Sequence, residues 1–323
     1  MADILSLPSC GGSTSTFNSG APLCDVIRKE PKMLIMLDSG VEFNLSTRAS
    51  IATFVAAIRT ATRAARGSRA YPIKDLTNYE DKSSEPTKAS IGNLSVTQIT
   101  MQQGVPSFSF QHRKGDLFHK QLAAAENANL KLLIVDSAYV VYGTKTSGGN
   151  FTGYSLSEFY AELAKFATAT DPSKYPFNIT LESMTEYKEN FDFVQLDSTI
   201  MSVSGIVDVN LNTAGAPVVQ ATNVAKVTPI ARGGKNLGVL YPVELASTSA
   251  WTAKNGTSGA SLTLTSVTWD SANSRFNVTV DSTEYAALTS TTKVRIDLVS
   301  TSALSDLGVD GYESLGYCEI TKA

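Results

Sequence analysis

The sequence predicts a mainly β protein of the α+β class, and three observations support this prediction. The chain of 323 residues is 42% hydrophobic but only 18% charged, and its abundance of serine and threonine is typical of strands and turns. Several short segments alternate apolar and polar residues with period 2, whereas helical periodicity is found in only a few. The chain is also long enough for two domains whose cores need no disulfide or metal.

Charge and hydropathy argue against several classes of function. With a net charge of -3, the chain has no global basic field that would draw it onto nucleic acid or anionic lipid. Its first residues lack the basic and apolar regions of a secretion signal, and no segment approaches the ~18 apolar residues of a membrane span. We therefore expect synthesis in a cytosol and no membrane span.

Residues 1–31 are expected to form an extended N-terminal arm, because prolines and glycines punctuate a stretch rich in serine and threonine. A neighbouring subunit could order this arm, or it could be a free terminus. Two of the three cysteines, Cys10 and Cys24, lie in it, and the third is Cys318. We interpret all three as structural thiols, and a bridge between Cys10 and Cys24 in an oxidised particle stays open.

Residues 32–231 predict a β-rich domain that carries two helices. The apolar run 33–37 predicts a buried strand that turns into a hairpin. Ser46 or Thr47 is expected to cap the first helix, whose apolar residues recur at helical spacing and are Ile51, Phe54, Val55, Ile58 and Ala61.

The second helix is predicted to begin at Ser155, since Glu158 three residues later completes a capping-box pattern. Its buried face would hold Leu156, Phe159, Tyr160 and Leu163. The remaining segments of this domain predict strands, with a hairpin around Ser137 and Ala138, and comprise 94–101, 105–110, 130–136, 139–142, 177–185, 191–196, 203–211 and 217–227.

Residues 232–236 predict a flexible break, and residues 237–323 predict a small β-sandwich. The two-cysteine framework of antibody domains is missing, so "immunoglobulin-like" describes the architecture alone. Trp251 and Trp269 could form a platform on which a glycan stacks, or could lie in the sandwich core. Both interpretations stay open.

Four arginines, Arg48, Arg59, Arg63 and Arg66, fall on one strip beside the apolar stripe of the first helix. Such a strip could be a solvated basic face, a contact with another subunit or a nucleic-acid contact. We take these residues as candidates for a subunit interface.

Residues typical of catalysis do not form a recognisable motif. His112 and His119 are the only histidines, and neither lies in a metal-binding helix motif or near a cysteine pair. The sequence contains no nucleophile elbow and no glycine-rich phosphate loop. Carboxylate pairs such as Glu186 and Glu189 lie in polar stretches, where a solvated carboxylate is the common case. We therefore predict no enzyme activity, no metal and no cofactor.

The order of elements in residues 25–230 resembles the tail-tube family of long-tailed phages: strand, helix, polar loop, strands, second helix and closing strands. The polar loop 74–85 and the strand 105–110 look like those of virion structural proteins. The segments 133–136, 143–144 and 153–154 also look like segments of virion structural proteins.

This resemblance implies a tail-tube-like β-sandwich or barrel with two helices, followed by an immunoglobulin-like β-sandwich. It implies a virion protein of the phage tail, made in the host bacterial cytoplasm, that self-assembles into stacked, hexameric rings. The implied partners are further copies of the chain, other virion or tail proteins, and phage DNA that passes through the lumen without sequence-specific binding. Two alternatives are a capsid-decorating or connector protein and a glycan-binding adhesion module.

Overall fold

The computed structural model describes residues 27–90, 98–102, 104–170, 172–213, 219–220 and 222–322. Most of the predicted N-terminal arm, with Cys10 and Cys24, lies outside these residues. The protein is mainly β, with 42% strand and 21% helix, which confirms the predicted fold class. The chain divides into two compact units, Met1–Gly205 and Ile206–Ala323.

The described residues of the first unit form strands, three α-helices and two short 3-10 helices. The strands are β1 (Pro31–Asp38), β2 (Ala70–Ile73), β3 (Leu76–Asp81), β4 (Thr87–Ser90), β5 (Gln98–Gln102), β6 (Ser107–His112), β7 (Leu130–Asp136), β8 (Val140–Lys145), β9 (Phe151–Thr152), β10 (Tyr154–Ala161), β11 (Tyr175–Leu181) and β12 (Phe191–Gln195). The helices are α1 (Ile51–Arg63), α2 (Asp116–Ala123) and α3 (Met184–Lys188), and the 3-10 helices are Leu45–Arg48 and Ser198–Ser202.

The main sheet of the first unit branches at β7. Its strand order is β12-β8-β7-β10-β11-β6-β3, and β1 joins the other edge of β7 and pairs in turn with β2. The predicted hairpin around Ser137 and Ala138 is confirmed, because β7 and β8 pair antiparallel. Strands β4 and β5 form a separate two-stranded ribbon.

Strand β1 is buried on both of its faces, as its uninterrupted apolar run predicts. Met33, Ile35 and Leu37 belong to a core that includes the buried residues of α1. Leu34 and Met36 belong to a second core, built with the phenylalanines of β6 and β11. The first unit therefore has one core on each side of the β1 and β7 strands.

Helix α1 confirms the first predicted helix, but its cap is Ser50. The Ser50 hydroxyl accepts a hydrogen bond from the Thr53 amide at 3.1 Å. Ser46 and Thr47 instead lie in a 3-10 helix that the side chain of Asn44 caps. The two caps lie six residues apart because a separate short turn precedes the apolar period of α1.

The second predicted helix is wrong, since the residues from Ser155 form strand β10. Phe159 and Ala161 are buried while Glu158 and Tyr160 are exposed, which is the alternation of a strand. Glu158 does not cap Ser155; the Ser155 amide and hydroxyl donate to the Glu186 carboxylate at 2.8 and 3.0 Å. Pairing with β11 from Leu156 to Ala161 overrides the local helical pattern.

The second unit is a β-sandwich in which two five-stranded sheets, of order β18-β19-β15-β13-β21 and β14-β22-β20-β16-β17, share one core. Its strands are β13 (Val207–Thr213), β14 (Val219–Gln220), β15 (Val224–Ala231), β16 (Trp251–Asn255), β17 (Ser261–Leu262), β18 (Leu264–Asp270), β19 (Arg275–Val280), β20 (Lys293–Leu298), β21 (Tyr312–Ser314) and β22 (Cys318–Lys322). Its helices are α4 (Leu237–Leu240), α5 (Ser282–Ala287) and α6 (Thr301–Asp306), with 3-10 helices at Glu244–Ala246 and Thr248–Ala250.

The boundary between the units differs from the predicted one. Strands β13 and β15 were expected in the first domain, but β13 pairs with β21 and β15 pairs with β19 inside the second unit. The expected break at 232–236 is a tight turn in which Gly233 and Gly234 adopt φ of 101° and 87°. The division falls at Gly205/Ile206 because these strand pairs are non-local in sequence.

Two further expectations concern single features. Cys318 is a free thiol that is 6% exposed, and burial raises its pKa to about 12, in keeping with a structural thiol. Within the described ranges, the helices are too short or too polar to cross a membrane.

Candidate functional site

Two of the four arginines predicted for an interface are buried in the first unit. Arg48 is 4% exposed; its Nη1 lies 2.7 Å from Asp192 Oδ2, and its guanidinium lies 5.2 Å from the centroid of the Phe151 ring. Arg63 is 9% exposed and donates to the Ser204 carbonyl at 2.9 Å. Their partners, remote in sequence, draw both side chains inward, which corrects the prediction of a continuous surface strip.

Arg59 and Arg66 are exposed, and their assignment to a subunit interface stays a prediction. Arg59 donates to the Ser202 hydroxyl at 3.0 Å, within its own unit.

The predicted glycan platform does not fit the positions of the tryptophans. Trp251 is 3% exposed, its Nε1 donates to the Leu245 carbonyl at 2.8 Å, and its ring packs on Phe276, so of its two interpretations the core position is the one that fits. Trp269 is half-buried, with its ring centroid 4.7 Å from that of Phe276. Both side chains complete the sandwich core.

The β10–β11 hairpin continues past the sheet as a two-stranded ribbon. Lys165 and Lys174 exchange backbone hydrogen bonds of 2.9 and 3.0 Å beyond the last residue of β10. We call the segment 162–174, of which residue 171 is not described, the tip. Leu163 and Phe166 on the tip are 85% and 96% exposed. Two large apolar side chains with almost no cover on a projecting ribbon are typical of a contact surface.

An open groove of about 400 Å³ lies near the other end of the same hairpin, and we call it the groove. Ser155, near the start of β10, marks this end of the hairpin. It donates hydrogen bonds to Glu186 of α3, and residues 189–191 of the groove follow that helix in the chain. Phe191 is 42% exposed there. The groove is lined by Lys145, Thr146, Ser147, Glu189, Asn190 and Phe191.

The groove has an anionic and a cationic side chain in its lining, but their surroundings differ. Lys145 Nζ lies 3.8 Å from the carboxylate of Asp192, so this cation is partly neutralised. Glu189 is exposed. An incoming group with an apolar ring and a cation therefore matches the groove, because Phe191 and Glu189 offer the complementary surfaces.

The two histidines lie together at the base of the tip. His112, at the end of β6, is 1% exposed and His119, on α2, is 7% exposed. His112 Nε2 lies 3.2 Å from His119 Nδ1. The Lys114 amide donates to His112 Nδ1 at 3.1 Å, and His119 Nε2 lies 2.5 Å from the carbonyl of Glu162, the first residue of the tip.

These contacts determine both tautomers. Since the Lys114 amide can only donate, His112 Nδ1 accepts and His112 Nε2 carries the hydrogen. His119 Nδ1 then accepts from His112, and His119 Nε2 donates to the Glu162 carbonyl. Burial, followed by the charges of His119 and Lys114, lowers the pKa of His112 from 6.5 to about 4, so His112 is neutral near pH 7.

A small aromatic cavity of about 50 Å³ lies elsewhere in the first unit. Its lining includes Arg28, Tyr142, Tyr154 and Tyr187, and the Arg28 guanidinium lies 4.4 Å from the Tyr187 ring centroid. The buried Tyr154 hydroxyl has no hydrogen-bond partner among the described residues. Burial raises the pKa of Tyr142 and of Tyr154, so neither phenol supplies a base at neutral pH.

Within the part of the chain that the structure describes, no group of three or more His, Cys, Asp or Glu residues could hold a metal ion. The comparisons with known proteins add no family: no protein-family model matches this chain, and no curated protein matches it.

Sequence reasoning missed the tip and the groove. Leu163 was assigned to the buried face of a helix, although the signal for a ribbon was present: Pro172 lies in a polar stretch between two segments that alternate. The groove gives no local signal, because its two halves, 145–147 and 189–191, are brought together only when β12 pairs with β8.

Proposed function

We propose that this chain is a self-assembling structural protein of a phage virion, a tail-tube-like building block whose copies join head to tail. The observation that carries the proposal is the exposure of Phe166, at 96%, on a ribbon that projects from the sheet. The occupant that we infer for the tip is a second copy of the chain, seated by its groove.

Burial of the tip supplies the driving force. Transfer of a Leu or Phe side chain from water to an apolar site is worth about 1.5–3 kcal/mol. Leu163 and Phe166 contribute almost none of this to the monomer, since they are 85% and 96% exposed. A single contact of this size is weak, so stable association requires that it be repeated along an assembly.

Charge and location both favour a second copy over an unrelated partner. Lys165 lies beside Phe166 on the tip, and Glu189 and Phe191 line the groove. Ser155, which bonds to the helix that precedes the groove, and Phe166 on the tip are separated by a length of chain that spans about 35 Å when extended at ~3.3 Å per residue. Tip and groove are thus separate surfaces of one unit, and two separate surfaces that fit each other are the arrangement of a repeating contact.

Such a contact is heterologous, because different surfaces of the two copies meet. Heterologous contacts close into rings or continue as open filaments. Strands β3 and β12 are the two ends of the strand order in the first unit, and free sheet edges of this kind allow lateral pairing between copies. Head-to-tail contact along the ribbon with lateral contact at the edges supports stacked rings.

The test is negative-stain electron microscopy and sedimentation velocity of the full chain over a concentration series. We expect rings or tubes with an open channel. Leu163→Ser/Phe166→Ser should raise the concentration at the assembly midpoint by at least about a hundredfold, since the two side chains together are worth about 3–6 kcal/mol and 1.4 kcal/mol corresponds to a factor of ten. The matched control is Val243→Ser, which removes a 79% exposed apolar side chain from the second unit.

A charge reversal identifies the groove as the partner of the tip. Lys165→Glu and Glu189→Lys should each weaken assembly, because each places like charges at the contact. The double variant should recover it. A protein that stays monomeric at every concentration would refute self-assembly as the function.

The capsid-decorating and connector alternatives involve the same contacts but a different symmetry, which class averages of the assemblies determine. The glycan-binding alternative loses support because Trp251 lies in the core.

A further inference from the structure

The histidine pair links two elements to the base of the tip. His112 belongs to β6, His119 belongs to α2, and the Glu162 carbonyl that His119 holds directly precedes Leu163. The hydrogen bonds run in one direction, from the Lys114 amide through both imidazoles to that carbonyl. This chain adds a side-chain link to the backbone pairing of β10 with β11 and of β11 with β6, which also holds the base of the tip.

An added proton cannot enter the chain without breaking a link. Its only acceptor nitrogens are His112 Nδ1 and His119 Nδ1, and each already receives a hydrogen. Protonation of His112 Nδ1 places its new hydrogen against the hydrogen of the Lys114 amide, so this hydrogen bond is lost. Protonation of His119 Nδ1 does the same at His112 Nε2, and a change of tautomer in His112 only moves the conflict to Lys114.

The surroundings do not compensate for a charge on the pair. The Tyr175 ring of β11 stacks on His112 with a centroid distance of 5.3 Å, and Phe118 of α2 packs edge-on at 5.0 Å. The ammonium of Lys114 adds a repulsive charge that lowers the pKa of His112. Burial is the largest cause of that lowered pKa.

The neighbouring carboxylates accept hydrogen bonds from other donors. Glu162 Oε1 accepts from Asn178 Nδ2 at 2.7 Å, and Glu126 Oε1 accepts from the Ala161 amide at 3.0 Å. Strand β3 contributes Leu76 opposite His112, and the charged residues just before it are Lys74 and Asp75. Burial lowers the pKa of Lys114, and the charge of Asp75 opposes this shift in part. The charged groups on the elements around the pair are thus Lys74, Asp75, Lys114, Glu126 and Glu162, with Lys120 on α2 itself.

We propose that His112 and His119 form an acid-sensitive clamp that helps to hold the tip in position for self-association and releases this hold when His112 is protonated. The inference rests on the proposed function, because it assigns regulation to the same tip. The clamp is complete while His112 is neutral. On acidification, protonation of His112 breaks a link of the chain, so the base of the tip keeps its backbone pairing but loses its side-chain link to His112.

The pH range follows from the pKa of His112. Its folded value, about 4, lies below the ordinary value of 6.5, so the neutral form is the one that the fold favours. The clamp is therefore intact above pH 6.5 and is lost as the pH falls towards 4.

The first experiment measures assembly of the full chain by sedimentation velocity at pH 7.5 and pH 4.0. For the wild type we expect the assembly midpoint to rise at least tenfold at pH 4.0. His112→Gln can keep an N–H near the position of Nε2 but does not titrate, so its midpoint should change less than threefold. If the wild type assembles equally well at both pH values, the clamp is overturned while the proposed function stands.

The second experiment detects opening of the clamp by a measurement that does not depend on assembly. Amide hydrogen exchange at Lys165 and Lys174, corrected for the intrinsic effect of pH, should accelerate at least tenfold at pH 4.0 in the wild type but not in His112→Gln. The Val141 and Val194 amides in the β8–β12 pair are the internal control and should keep their protection. Unchanged protection at Lys165 and Lys174 would overturn the clamp, even for a protein that never assembles.

A second variant covers the case in which His112→Gln does not fold. His112→Asn also removes the imidazole whose pKa is lowered and should give the same loss of pH sensitivity. Circular dichroism and thermal unfolding at pH 7.5 establish that the chosen variant is folded before its pH response is compared.

Discussion

Arg48 and Asp192, which lie 144 residues apart in sequence, form a nearly buried ion pair with Nη1 and Oδ2 2.7 Å apart. Arg48 ends a 3-10 helix that precedes α1, and Asp192 lies on β12 at the edge of the sheet. The pair ties this helical segment to the last strand of the sheet. An interface residue predicted from sequence thereby has a structural role inside the unit.

Loss of Arg48 should destabilise the first unit. Arg48→Ala leaves the Asp192 carboxylate with only the more distant Lys145, and breaking a buried pair costs about 3–5 kcal/mol. Because Lys145 compensates in part, we expect a loss of about 2–4 kcal/mol in the free energy of unfolding, measured by urea denaturation. The control is Lys82→Ala, whose exposed pair with Glu80 at 3.8 Å should contribute less than about 1 kcal/mol. Equal effects of the two substitutions would contradict this account.

Substitution of Arg63 should lower the stability of the first unit, whereas substitution of Arg59 should leave stability nearly unchanged and test its role in assembly. Arg63→Glu places a carboxylate against the Ser204 carbonyl in a site that is 9% exposed, so we expect a loss of at least about 3 kcal/mol. Arg59→Glu lies on the exposed face and should change stability by less than about 1 kcal/mol. Thermal unfolding measures both. If Arg59→Glu also leaves the assembly midpoint unchanged, Arg59 lies on a solvated face and outside any interface.

Gly238 and Trp269 should show strong energetic coupling. A Cβ built on Gly238 would lie 2.1 Å from the Trp269 ring, so Gly238→Ala forces the indole to move. Overpacking of this kind costs about 1–3 kcal/mol. Combination with Trp269→Leu should recover at least half of that loss, because the smaller side chain frees the space. Denaturation of all four members of the cycle measures the coupling, and strict additivity would rule out the steric cause.

Stability of the first unit should fall in acid because of His112. Its pKa is lowered from 6.5 to about 4 in the folded protein, so the unfolded chain takes up the proton first as the pH falls. We expect the wild type to lose about 1–2 kcal/mol between pH 7 and pH 4.5 that His112→Gln does not lose. Urea denaturation at several pH values measures the difference. Parallel curves for both proteins would show that another group titrates.

Elements with local signals were predicted correctly from the sequence. Helix α1 has its own apolar stripe, β1 is an uninterrupted apolar run, and the β7–β8 hairpin joins two adjacent strands. Each of these signals lies within about 15 residues, so long-range pairing is not needed to read it.

The errors arise where pairing remote in sequence decides the structure. Leu156, Phe159 and Leu163 fit a helical face as well as a strand, and only the partner β11 selects the strand. The burial of Arg48 and Arg63 depends on Asp192 and Ser204, which no local pattern reveals.

The site could be predicted only in part for the same reason. The two histidines were noted from the sequence, and a zinc motif was rejected from their spacing. Their mutual hydrogen bond requires the turn between β6 and α2 to fold one ring onto the other.

The order of strands in the second unit has a consequence for protein synthesis. Strand β22 pairs with β20 and β14, and β21 pairs with β13. Neither sheet can therefore be completed before the last residues of the unit have been synthesised. On a ribosome that adds about 5–20 residues per second, residue 323 follows Gly205 by roughly 6–24 s. During that interval a nascent chain has all the residues of the first unit, tip and groove included, while its second unit lacks closing strands. The proposed contact between copies would therefore become available first through the first unit.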